Sequence, residues 1–168
     1  MKTIDITKVK ESSKVLTVME NTKRVIQQSD DDEWKAELQQ FFKDCYDRYA
    51  ELKAEEEHGV SNVTPITKDF YKFLYAYEQA LFEVNGKRNK ATRFRQALTY
   101  NQKKYKNEEE AVIKTLEGRV TKEGGTKGFH FLMENGLNEL TAEYLVLQNK
   151  ELISKKAIEA SEEKLSNA

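Results

Sequence analysis

"PITKDFYKFLYAYEQALFEV", residues 65–84, decides how the rest of the chain is read. Phe70, Phe73, Leu74, Tyr77, Leu81 and Val84 recur at three- and four-residue spacing, which places them on one face of a helix. Tyr71, Tyr75 and Phe82 occupy the remaining sides. A helix that is apolar nearly all round belongs in an interior, so 66–84 is expected to be the central helix of the fold. Pro65 suits its start, where a missing N–H does no harm. The segment is bounded by two breaks: "HGVSNVTP" (58–65), the clearest loop in the chain, and "NGKRN" (85–89), a turn.

Working upstream, Leu38, Phe41, Phe42, Cys45, Tyr49 and Leu52 form one apolar stripe on a helix expected over about 32–57. Asp30 to Glu33 set negative charge at its start, where the helix dipole favours it. An earlier helix is expected from Ser12 or Ser13, either serving as N-cap, and carries Val15, Leu16, Met19, Val25 and Ile26. Ile4 and Ile6 alternate, as in a short strand or an extended arm. Downstream, helices are expected over about 89–105, from "NEEE" (107–110) to near Gly118, over 126–134 and over 138–149. The tail from Lys150 reads as a weaker amphipathic helix fraying after Ile158. The fold class is therefore all-α: a single domain over 1–168 with six or seven helices, a loose arm over 1–11 and a loose tail over 159–168.

The bulk composition agrees. One Pro and seven Gly leave long stretches free of helix breakers, and the strong helix formers Ala, Glu, Lys, Leu and Gln are abundant. Eight Tyr and eight Phe require burial, which argues against disorder. No apolar run approaches the 18 or so residues that a membrane span needs. The N-terminus lacks the uninterrupted apolar core of a secretory signal. A single cysteine, Cys45, excludes an intramolecular disulfide, and a cytoplasmic location is expected.

The formal net charge is −1, yet residues 85–107 hold Lys87, Arg88, Lys90, Arg93, Arg95, Lys103, Lys104 and Lys106 and no acid. On a helix, Ala91, Phe94, Leu98 and Tyr105 fall on one side and can pack inward. Arg93, Gln96, Tyr100 and Lys103 line one flank; Arg88, Thr92, Arg95, Thr99, Gln102 and Lys106 line the other. Arg and Lys mixed with Gln, Thr and Tyr suit phosphate oxygens and base edges. Residues 30–57 carry eleven acids and four bases, so the cations are alternatively answered within the fold.

Other patterns carry less chemistry. Glu55 and His58 have the i, i+3 spacing of carboxylate-bridged di-metal bundles, but His130, the only other histidine, has no such partner, so no metal is expected. "EGGTKG" (123–128) departs from the phosphate-loop pattern and reads as a flexible connection, its glycines letting Phe129 and Phe131 return to the core. Cys45 lies on an apolar stripe, where a thiol is inert. Glu33-x-Lys35 resembles the tail of a nuclease signature without the sheet that chemistry stands on. "FHFLMENGLNELTAEYLVL" (129–147) has the outline of a helix-turn-helix, but its second helix would present Glu139 and Glu143 to DNA. No catalytic residue and no cofactor is assigned.

The function expected is that of a small non-catalytic binding protein. It docks nucleic acid or another polyanion through the 87–106 helix, using Lys87, Arg88, Lys90, Arg93, Arg95, Lys103 and Lys104, with Tyr100 placed to stack on a base. The alternative is a protein-interaction module, a regulator or inhibitor of a larger complex or a homo-oligomer, that uses the acidic 30–57 and basic 87–106 helices.

Overall fold

Pro65 stands at the first position of a helix that runs Pro65–Asn85 and ends on Gly86, whose φ of 66° gives the left-handed residue that closes a helix C-terminus. The computed structural model describes residues 4–86 and 90–167. Among these residues there is no strand, and eight α-helices are present: α1 (Ser12–Gln28), α2 (Asp32–His58), α3 (Pro65–Asn85), α4 (Thr92–Lys104), α5 (Glu108–Val120), α6 (Lys127–Glu134), α7 (Ala142–Gln148) and α8 (Lys155–Ser166). The protein is all-α. The chain divides into two compact units, Met1–Gly59 and Val60–Ala168.

The first unit is an antiparallel pair of helices. Asp31 caps α2 by accepting the Trp34 N–H, and Gly59, at φ 58°, closes it. Ser12, expected to be an N-cap, instead lies inside the first turn of α1. Its N–H and hydroxyl donate to the two oxygens of Glu56, at 2.9 and 2.6 Å, so a carboxylate from the end of α2 does the capping. Val15, Met19, Leu38, Cys45, Tyr49 and Ala54 are buried in this unit, whereas Phe41, Phe42 and Leu52 of the expected stripe are half-buried. Residues Ile6–Lys8 form a single 3-10 turn rather than a strand. Ile6 is buried, Ile4 is exposed, and Arg48 fixes the segment by donating from Nε and Nη2 to the Val9 carbonyl at 3.0 and 2.8 Å.

The second unit is arranged around α3. Ile66, Phe70 and Leu74 are fully buried, and Tyr71, Phe73 and Tyr75 nearly so. Helices α5 and α7 pack on α3, α4 packs on α5, and α8 packs on α7 and α5. Phe94 of α4 enters an aromatic cluster on α3, its ring edge-on to Phe73 at 5.0 Å and to Phe70 and Tyr77 at 6.4 Å. Helix α5 continues past Gly118 to Val120, because Val120 and Leu116 are fully buried and one glycine costs a helix only about 1 kcal/mol. Gly124 and Gly125, at φ 66° and 74°, form the connection that follows, and Phe129 is buried beyond it. Helix α8 runs unbroken through Ser166, with Ala157 and Ser161 fully buried.

Glu143 is not on the surface where the helix-turn-helix comparison put it. It is 3% exposed and pairs with Lys164 of α8 at 3.5 Å. Lys164 also donates to the Val120 carbonyl, so one ammonium ties α8 to both α7 and α5. No helix among the described residues is long and apolar enough to cross a membrane.

Candidate polyanion-binding face

The site is built on α4. Its inward side is the one that helical spacing indicates: Ala91, Phe94 and Leu98 are buried, and Tyr105 is half-buried. That side fixes the rotation of the helix and turns its polar residues outward. Lys87 and Arg88, two of the expected binding residues, lie outside the described residues. Lys90, Arg93, Tyr100, Lys103, Lys104 and Lys106 are exposed, and Tyr100, at 68%, is the most exposed large hydrophobic residue among those described.

Arg95 differs from these. Glu78 of α3 accepts its Nε at 2.8 Å and its Nη2 at 3.1 Å, a two-pronged carboxylate–guanidinium pair. The guanidinium also lies over the Tyr75 ring, 5.2 Å from its centre. Burial alone lowers the affinity of Arg95 for its proton, and the Glu78 bonds more than reverse that, so its pKa is held above the ordinary value. Its charge is therefore already answered, and it serves as a structural anchor with only part of its surface facing out. The absence of acids in 85–107 holds along the chain but not in space, because Glu78 stands 17 residues upstream of Arg95. The same carboxylate accepts the Ala91 N–H at 2.7 Å. Ala91 precedes α4 and has no side chain able to cap it, so Glu78 supplies the cap from α3.

Among the described residues, Lys90, Arg93, Lys103 and Lys106 form no ion pair, and Lys104 has its ammonium 5.3 Å from the centre of the Tyr105 ring. Lys90, Arg95, Gln96, Thr99, Tyr100 and Lys103 line an open groove of about 410 Å³ along the outer side of the helix. Two unpaired ammonium groups, an amide, a hydroxyl and an exposed aromatic ring thus share one shallow surface. These groups offer hydrogen bonds and charge to phosphate oxygens and a flat face to a ring.

The remaining candidates do not form a reactive centre. Burial, and then the charge of Asp44, push the Cys45 thiol up to about 12, so it stays protonated at neutral pH. His58 lies in the last turn of α2, next to Gly59, where a cation suits the helix dipole. Among the described residues no group of three or more His, Cys, Asp or Glu side chains is arranged to hold a metal ion. His130 bonds the Gly124 carbonyl at 2.6 Å and so closes the glycine turn. Two residues that shape the region carried no local signal in sequence: Glu78, lost among the apolar residues of α3, and Arg119, a lone cation near the end of α5.

Comparison with models of known protein families, with curated proteins and with solved structures finds no match for this chain.

Proposed function

We propose that the protein is a non-catalytic binding protein whose α4 docks nucleic acid through its outer face. The observation that carries this is the exposure of Lys90, Lys103 and Lys104 beside Tyr100, with Lys90 and Lys103 free of any ion pair among the described residues. Lysines in water lose little by staying hydrated, and they gain by releasing counterions from a phosphate backbone. A tyrosine that is 68% exposed beside them offers a ring to an unstacked base, which favours single strands over duplex.

Fluorescence anisotropy at low salt with labelled single- and double-stranded oligonucleotides tests the proposal. Lys103→Glu combined with Lys104→Glu is expected to weaken binding at least about tenfold, and Tyr100→Ala to weaken single-strand binding by about 1–3 kcal/mol. Arg95→Glu is unsuitable, since it sets a carboxylate against Glu78 and disturbs the fold. Equal binding by wild type and the double lysine variant would remove the proposal.

An acidic face favours a second reading. The first turn of α2 presents Asp32, whose side chain is 96% exposed, and Glu33 beside it is also exposed. A chain with one basic and one acidic exposed helix can associate with its own copies. Light scattering across a salt series decides this: a monomer at every salt and protein concentration rules out self-association.

A further inference from the structure

We infer that the cleft between the start of α4, the end of α5 and the start of α6 is a seat for a phosphate monoester group. It adjoins the outer groove of α4, with which it shares Lys90 and Thr92, but its guanidinium groups, Arg93 and Arg119, belong to the cleft alone.

The cleft measures about 210 Å³, smaller than the pockets that hold drug-sized ligands and large enough for one compact anion. Among the described residues four cations line it, Lys90, Arg93, Arg119 and Lys127, together with Tyr77, and no carboxylate does. Arg119 is the central observation. Its Nε is buried and has no hydrogen-bond partner, the one such side-chain atom among the described residues. A buried donor on a charged group that goes unanswered is costly, and native proteins seldom leave one without a purpose. The guanidinium rests on the Phe94 ring, 5.2 Å from its centre, so it is held in place although no acid holds it. Burial, and next the charge of Arg93, depress its pKa below the ordinary value. Two guanidinium groups that repel each other in a small cleft gain from a shared anion between them.

The acids whose charge is felt at Arg119 and at Tyr77, Glu143 and Glu78, are committed elsewhere. Glu143 feels the Arg119 charge but pairs with Lys164 at 3.5 Å, and Glu78 is taken by Arg95 and the Ala91 N–H. Among the described residues no carboxylate answers the cations of the cleft. Four cations exceed what one carboxylate would answer, and planar guanidinium forks match the several oxygens of a phosphate dianion. Tyr77 adds a hydroxyl, and Gly128 makes room for it: a Cβ there would lie 2.3 Å from the Tyr77 oxygen. Any other residue at 128 must therefore displace the hydroxyl.

Calorimetric titration of the full chain, at fixed ionic strength balanced with chloride, is the test. The probes are inorganic phosphate, a nucleoside 5′-monophosphate, and one oligonucleotide with a 5′-phosphate or a 5′-hydroxyl. Wild type is expected to bind inorganic phosphate saturably, Arg93→Gln about tenfold or more weakly, and Lys155→Gln, an exposed cation of α8 that lines neither surface, as wild type does. Arg93 is exposed, so its variant is expected to fold; Arg119→Gln, with its circular dichroism compared with wild type, should lose binding as well. Preference for the 5′-phosphate over the 5′-hydroxyl oligonucleotide assigns the group to a nucleic-acid end. Tighter binding of the free monophosphate, with no such preference, assigns it to a small molecule. Absence of saturable phosphate binding by wild type up to about 20 mM, or unchanged affinity in Arg93→Gln, overturns the inference.

Discussion

Glu78 serves two functions at once. Its carboxylate caps the start of α4 and fixes Arg95. Glu78 and Arg95 are 16% and 28% exposed, so solvent screens the pair little. Removing one partner leaves a half-buried charge unanswered. Glu78→Gln is accordingly expected to lower stability by about 2 kcal/mol in denaturant unfolding, while Lys103→Gln changes it by less than about 0.5 kcal/mol. Equal effects would mean that Arg95 is as free as Lys103. None of this is visible in the sequence. Helical period turns Phe94 and Leu98 inward and Lys103 outward, but it cannot say which of two outward cations meets an acid from another helix. The same blindness explains Glu143, which reads as a surface acid until Lys164 comes back to it from α8.

Helix limits were legible where a local signal sets them and obscure where packing does. Pro65 and Gly86 bracket α3, and Asp31 and Gly59 bracket α2, each by side-chain or backbone chemistry within a few residues. Gly118 reads as the end of α5, yet the burial of Val120 carries the helix past it. The end of α5 also holds α8: Glu117 accepts the Ser154 N–H just before α8 and the Lys114 ammonium, each at 2.8 Å. Burial alone raises the pKa of Glu117, and these two bonds more than reverse the effect, so its folded value lies below the ordinary one. Folding then favours the ionised form. That contribution is complete above the unfolded pKa of about 4.3 and is lost as pH falls through the folded value. Glu117→Gln should cost about 1 kcal/mol at pH 7 and clearly less near about pH 3; an equal cost at both would contradict the assignment. The α3–α6 contact makes a separate prediction. Gly128→Ala drives a methyl into the Tyr77 hydroxyl and should destabilise by about 1–3 kcal/mol, and Tyr77→Phe in the same chain should relieve part of that. Additive losses in the double variant would show that the two groups do not meet.

At the scale of the whole molecule, the chain is nearly neutral, so any attraction to a polyanion is local rather than global. Class and approximate helix layout were legible because hydrophobic period and breakers repeat many times along the chain. The site was legible only as a segment: eight cations without an acid mark a region, while the division of labour among them depends on Glu78 and Arg119, which come from other helices. Arg95 became an anchor, Arg93 joined Arg119 in a cleft, Tyr100 and Lys103 remained on the outer groove, and Lys90 borders both. The proposed docking of nucleic acid requires that this outer charge stay uncompensated until a phosphate backbone arrives. The most direct measurement is the slope of log affinity for a single-stranded oligonucleotide against log salt, for wild type and for Lys103→Gln. Four neutralised phosphates predict a loss of about fiftyfold between about 50 and about 200 mM salt, and the variant should flatten the slope by about 0.7. A wild-type affinity that does not change with salt, or a slope that Lys103→Gln leaves unaltered, would contradict it.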